Sequence, residues 1–494
     1  MNLFGETVTV STVLLLVLSV GLALFFEAIN GFHDTANAVA TVIYTHSLKP
    51  TVAVVWSGIC NLLGVLTSSG AVAYTVVALL PIDLVTTIGS GPSYAMIFSI
   101  LISAIIWNFG TWYVGLPNSS SHALIGSILG VSIGHALLSG HALNEGLNWK
   151  PVQDVFTALL VSPVVGFVSA AGLLLLSKAL IRRPELYQPA DAKKAPPPWV
   201  RALLILTCTS VSFAHGSNDG QKGMGLLTLI LVAVLPGAFA LNIHSSNVAP
   251  LLSASQSVAP VLAQYASSGV SVNDQDATNQ LTNFLKPNVK ASNGIFPALA
   301  AKNNTITNKL SGKTSFQSFS NSDRRALRND MYLASSTIGK LDKGKVLTNP
   351  QEEKTLKGYQ KTLDTETKYI PNFVKVAVAL ALGIGTMIGW KRIVVTVGEK
   401  IGKEHLSYGQ GASAEIVAAA TISAADHFGL PVSTTHVLSS GIAGTMTASG
   451  SGLQAETLKN IALSWILTLP ACTLLGAASF TASLFLILNL LGIK

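Results

Sequence analysis

Long apolar stretches separated by short polar connections recur along most of the chain. A helix crosses the hydrocarbon layer in about 20 residues. Runs of that order lie near Val8–Ile29, Thr51–Leu80, Tyr94–Leu116, Val155–Leu180, Val200–Phe213, Leu226–Ile243, Phe373–Val395, Ala412–Ala425 and Ile461–Leu491. Some are long enough for two crossings or a tilted one, so the pattern predicts an all-α polytopic membrane protein with roughly 10–12 transmembrane helices. Between Ser245 and Tyr369 the pattern changes. Ser, Asn, Thr and Lys dominate, and few apolar residues follow Tyr265, which predicts a soluble, partly disordered loop.

The first run lacks a basic flank and a small-residue cleavage site and continues into Glu27, Asn30, His33 and Asp34. It is expected to stay in the mature protein. Composition agrees with a bilayer as solvent, since 49% of the 494 residues are hydrophobic and 11% are charged. The net charge of +8 is scattered through the polar connections rather than arrayed with aromatic residues on one face, which argues against nucleic acid. Lys178, Arg182, Arg183, Lys193 and Lys194 place the linker Arg182–Pro198 inside. The longer basic segment Ser245–Tyr369 is expected inside as well. Cys60, Cys208 and Cys472 lie far apart in apolar patterns without metal-ligand spacing and read as core residues.

The chain also matches itself. Gly31-Phe32-His33-Asp34-Thr35-Ala36-Asn37-Ala38 aligns with Gly216-Ser217-Asn218-Asp219-Gly220-Gln221-Lys222-Gly223, at an offset of 185. Gly115-Leu116-Pro117-Asn118-Ser119-Ser120-Ser121-His122 aligns more sharply with Gly429-Leu430-Pro431-Val432-Ser433-Thr434-Thr435-His436, at an offset of 314. The polar segment 245–369, placed between the second copies of the two motifs, accounts for the difference. Two membrane repeats follow, divided as 1–181, a linker 182–198, 199–244, the insertion 245–369, and 370–494. Each repeat is expected to contain a helix broken at its aspartate and a second break at Gly-Leu-Pro, and paired breaks point to a binding site near the midplane.

The chemistry of the motifs fits an anion. Pro117 and Pro431 suit helix starts, and Ser119, Ser120, Ser121, Ser433, Thr434 and Thr435 supply hydroxyl donors there. Two helix N-termini with clustered hydroxyls make a site for a tetrahedral oxyanion. For a single Ser the plainer reading is local capping or close helix approach; triplets repeated after Gly-Leu-Pro go beyond it. Intramembrane Asp34 and Asp219 are functional candidates by default, against a capping role. Two carboxylates beside an anion require a cation or proton between them. They are the candidate ligands for a transient coupling cation, or for Mg²⁺ or Ca²⁺ travelling with the anion. Asn37 offers an amide where the aligned Lys222 offers a positive charge. Glu27 divides evenly between proton relay and interfacial residue. His122 and His436 are expected to lock the loops through backbone carbonyls. His33 and His215 neighbour the aspartates, with Asn218 beside the second, but no cluster has the spacing of a closed metal site, so no permanently bound cofactor is expected. Gly339–Val346 mimics a phosphate-binding loop, but Val346 replaces the hydroxyl residue and no strand precedes it.

These paired motifs, together with Ala381-Leu382-Gly383-Ile384-Gly385-Thr386-Met387-Ile388-Gly389-Trp390 and Gly398-Glu399-Lys400-Ile401-Gly402, resemble the inorganic phosphate transporter (PiT) family, and its bacterial low-affinity branch in particular. The resemblance spans the chain and is weakest in the insertion. It implies a fold of inverted repeats with re-entrant hairpins in the inner (plasma) membrane. It also implies secondary import of phosphate, driven by protons in the bacterial branch, where neutral metal–phosphate complexes are accepted, and by sodium in others. The family's binding positions fall on Asp34, Asn37, Ser119, Ser120, Ser121, Asp219, Ser433, Thr434 and Thr435. Lys222 departs from the more widespread Asn of the second motif. A homodimer is left open. Sulfate is the alternative substrate. Hydrogen phosphate has a proton to share with a carboxylate and sulfate has none, which favours phosphate. An intramembrane enzyme would need a nucleophile with a base, and Ser120 and His122, two apart on a forming helix, do not face each other.

Overall fold

A computed structural model describes residues 2–4, 6–80, 84, 90–140, 149–190, 195–242, 248–265, 272–286, 289–347 and 349–489, apart from the side chains at 35, 37, 150 and 151. The first repeat comprises α1 (Val10–Tyr44), α2 (Pro50–Thr67), short α3 (Ala71–Val77), α4 (Gly91–Tyr113), α5 (Ser120–Leu138) and α6 (Trp149–Leu180). The second opens with α7 (Pro198–Val234). The insertion follows as α8 (Ala249–Tyr265), α9 (Asp274–Leu285), α10 (Ile295–Leu310), α11 (Asn321–Lys343) and α12 (Pro350–Thr367). The repeat resumes with α13 (Asn372–Met387), α14 (Lys391–Glu399), α15 (Tyr408–His427), α16 (Thr434–Ser449) and α17 (Ala455–Asn489).

Among the described residues 6 helices are long and apolar enough to span a membrane alone, or 7 if α12 and α13, bent by 69°, are taken as one. Helix α7 has the length but carries Asp219 and Lys222 in its middle. The shorter α13, α15 and α16 occupy the places that α2, α4 and α5 take in the first half. The equivalence is visible in the packing, because α5 lies on α17 as α16 lies on α6, and α2 lies on α7 as α13 lies on α1. Equivalent helices α1 and α7 run antiparallel. Glu27 lies at Gly223, Asp34 at His215, and the Arg201 guanidinium donates to Ser47 O at 2.8 Å. Crossed contacts between antiparallel equivalents are the arrangement expected of inverted repeats. Gly31 lets α13 approach α1 and Gly216 lets α2 approach α7: a Cβ at Gly31 would come within 2.8 Å of Thr386 N, and one at Gly216 within 2.7 Å of Asn61 Cα.

Two expectations need correction. First, α1 and α7 run unbroken through Asp34 and Asp219. The breaks lie at Gly-Leu-Pro, where Gly115 (φ 73°) and Gly429 (φ 65°) take left-handed backbone that favours glycine. Helix α7, of 37 residues, joins the linker to the insertion. The insertion and the residues just before it meet the start of the chain, where Glu6 accepts from Ala238 N at 2.8 Å and Arg324 donates to Gly237 O at 2.8 Å.

Second, the insertion is an ordered helical unit. Leu281, Phe284, Leu299, Phe316, Ile338 and Tyr359 belong to a core of its own, so the sparse apolar residues are spaced to meet on facing helices. Inside it Lys302, 1% exposed, bonds Asp274 at 2.9 Å and Asp330 at 2.8 Å. Burial alone would push the Asp274 carboxyl up. The Lys302 and Thr305 donors outweigh that and hold it below its ordinary value of 3.8. Gly339–Val346 spans the end of α11 and the residues beyond it, not a strand-to-helix loop. All three cysteines are free and buried, as expected of core residues.

Candidate functional site

The two Gly-Leu-Pro breaks bring the N-termini of α5 and α16 face to face in the protein interior. Ser119 and Ser433 are their N-caps, accepting from His122 N at 3.2 Å and His436 N at 3.1 Å. These hydroxyls are engaged in starting the helices. The histidines lock the breaks, although not through backbone carbonyls. His122 Nδ1 pairs with Ser119 Oγ at 2.8 Å, the two imidazole rings lie 4.5 Å apart, and His436 stacks on Trp465 at 4.0 Å. Trp465 in turn donates to Pro117 O at 3.2 Å. His122 is therefore turned to Ser119, the N-cap of its own helix, and not to Ser120.

The other hydroxyls of each triplet serve the opposite half. Thr435 donates to Asp34 Oδ1, and Thr434 to Oδ2 at 3.4 Å. Ser121 donates to Val432 O at 2.9 Å and accepts from the Lys222 ammonium at 2.5 Å, which also bonds Asp219 at 2.7 Å. Ser120 Oγ has no hydrogen-bond partner among the described residues. The expected pairing of one carboxylate and one triplet within each half is thus crossed: Asp34 is met by Thr434 and Thr435 of the other repeat, and Ser121 reaches Asp219 through the Lys222 ammonium. The side chain of Asn37 lies outside the described residues.

Between the carboxylates stands His215. Its Nε2 is 3.5 Å from Asp34 and 3.7 Å from Asp219, and one ligand atom from each of the three lies within 4.8 Å of the others. The ring is oriented by Asn61, a residue the sequence reading passed over. Thr386 Oγ donates to Leu382 O at 2.9 Å, so it accepts from Asn61 Nδ2 at 3.1 Å. Asn61 Oδ1 then faces His215 Nδ1 at 2.8 Å, which puts the proton on Nδ1 and turns Nε2 toward the carboxylates. As a neutral ring, Nε2 offers a lone pair to a cation; as an imidazolium, an N–H to the carboxylates. The donor set of two carboxylates and an imidazole fits a small hard cation or a proton.

The remaining candidates lie around this centre. His33 Nε2 pairs with Thr111 at 3.2 Å and its Nδ1 is 3.9 Å from Asp34. Asn218 donates to Leu430 O at 3.1 Å, tying α7 to the second break. Glu27 is fully buried beside Gly223, two turns from Asp34 on α1. Further polar groups were missed: Asp426 accepts from Ser217 at 2.6 Å, and buried Glu415 accepts from Thr207. Asn61 carried the clearest signal, as a lone amide inside an apolar run.

Antiparallel halves, two helix starts meeting in the interior and a buried acid pair define a polytopic membrane transport protein. Comparison with known proteins supplies the family. Residues 30–476 match the phosphate transporter family, and the chain belongs to it. It is 42% identical to the low-affinity inorganic phosphate transporter PitA of Escherichia coli (strain K12), over 96% of this chain and 97% of that protein. It is 40% identical to PitB of the same organism, over 99% and 100%. A solved structure titled "The sodium-dependent phosphate transporter" shares the fold, with TM-score 0.53 at 18% identity, covering 95% of this chain and 98% of that one.

Proposed function

We propose that the chain is a secondary active symporter that imports inorganic phosphate, as a metal–phosphate complex, in company with protons. The observation that carries this reading is the pair Asp34 and Asp219 facing one imidazole nitrogen beside two helix N-termini. An oxyanion held by helix-terminal N–H groups and hydroxyls is repelled by two nearby carboxylates unless positive charge arrives with it. Binding of substrate and of cation or proton is therefore one event, which is the basis of coupling. A divalent ion bound to phosphate would lower the charge the site must accept. No enzymatic step is assigned, and the relatives named above are transporters.

Sodium coupling is the second reading, favoured by the fold shared with a sodium-dependent transporter. The test is uptake of labelled phosphate and labelled sulfate by vesicles, under imposed proton or sodium gradients, with and without Mg²⁺. Phosphate uptake driven by protons and increased by Mg²⁺ is expected. Uptake driven by sodium alone would replace the proton, and absence of phosphate uptake under every gradient would overturn the reading.

A further inference from the structure

The two half-sites have equivalent scaffolds but different charge. Three residues after Asp34 the sequence has Asn37; three after Asp219 it has Lys222. Among the described residues Asp34 is met by the hydroxyls of Thr434 and Thr435 and by imidazole nitrogens. Asp219 is met by an ammonium group, both partners being 1% exposed. We propose that Lys222 is a resident counter-cation of the Asp219 half-site, standing where a mobile coupling ion would otherwise neutralise that carboxylate. Mobile positive charge is then needed only on the Asp34 side. This deepens the symporter reading and rests on it.

The geometry supports that role. The ammonium is tethered one turn from Asp219 on the same helix, so its position is set by the backbone. Both of its partners, a carboxylate and the Ser121 hydroxyl, are oxygens at 2.7 and 2.5 Å. Oxygens are the ligands that hard cations take. An ammonium has three donors. Two are used here, and the third has no partner among the described residues, close to the N-terminus of α5 where Ser121 lies. That N–H is placed to meet an oxygen of the transported anion. A lysine in this seat ties the anion to Asp219 without an ion that must enter and leave.

The test uses the full chain in proteoliposomes. Uptake of labelled inorganic phosphate is measured under an inward proton gradient in choline, sodium or lithium medium. Wild-type uptake is expected to be the same in all three. Lys222→Asn, which gives the second half the residue type of the first, is expected to fall about tenfold or more in choline, the loss set by one charged hydrogen bond. Sodium or lithium should restore it in a saturable manner. Wild-type rates in choline, or a loss that neither ion restores, overturn the proposal. The thermal midpoint provides a second readout, since Lys222→Asn strands the Asp219 charge and lowers it, and Asp219→Asn/Lys222→Asn should recover it. Additive losses in the double variant count against the pairing. If wild-type protein takes up no phosphate, the symporter reading fails, while the midpoint cycle still reports on the ion pair.

Discussion

Lys222 in the membrane and Lys302 in the insertion are equally buried, and each is bonded to aspartate, but the surroundings differ. Lys302 meets two carboxylates, one of them shared with Lys309 at 2.7 Å. Its charge is balanced within the domain, and Asp274 remains half exposed to water. Lys222 meets one carboxylate and one hydroxyl beside a second aspartate that is met by hydroxyls and imidazoles. A closed cluster holds helices together. An unbalanced one needs an additional positive charge before an anion can enter. The contrast separates a structural ion pair from a functional one, although in sequence both are lysines among polar residues.

The comparison can be tested from both sides. The largest effect is expected from Asp34→Asn or Asp219→Asn: labelled phosphate uptake should fall to background while the amount of protein in the membrane is unchanged. Normal uptake in both would reduce the carboxylates to helix fittings. Lys302→Met should act on stability alone, lowering the insertion's unfolding free energy by about 2 kcal/mol by calorimetry, the worth of hydrogen bonds to a charged group, since Asp330 keeps Lys309 and Asp274 is half exposed to water. Uptake per folded molecule should stay within about twofold, as expected of distant sites. The depressed Asp274 carboxyl gives this cluster an acid sensitivity. Its contribution is present above the ordinary value of 3.8 and is lost as pH falls below it, so the midpoint of the wild-type insertion should drop in that window and that of Lys302→Met should drop less.

Asn61→Leu frees the His215 ring without touching either carboxylate. Maximal uptake should fall about tenfold, the worth of one hydrogen bond at a functional ring, with a smaller change in half-saturation. The smallest effects belong to the caps: Ser119→Ala and Ser433→Ala should each cost about 1 kcal/mol in thermal stability and leave uptake nearly intact. A loss of uptake as large as that of the aspartates would return these hydroxyls to the binding site.

The paired motifs made the repeats and most of the central residues legible in the sequence, because a duplication displays equivalent positions directly. The apolar runs located most of the membrane helices. The continuity of α1 and α7 was not legible. Asp34 and Asp219 look like helix breaks in one dimension, but in three Asp34 is met by Thr434 and Thr435 of another helix and Asp219 by Lys222 of its own. The insertion was misread because Leu281, Leu299 and Ile338 are diluted by polar surface residues and meet only after folding. Asn61 and the crossed hydroxyl partners depend on helix register, which no local pattern encodes.

The central claim is that phosphate and positive charge enter together through Asp34 and Asp219. Purified protein in proteoliposomes carrying an internal pH dye tests it most directly, with phosphate and Mg²⁺ added outside and no other gradient. The wild type is predicted to acidify the lumen in step with labelled phosphate entry, and Asp34→Asn to do neither. Phosphate entry by the wild type without acidification, or both processes intact in Asp34→Asn, would contradict the account.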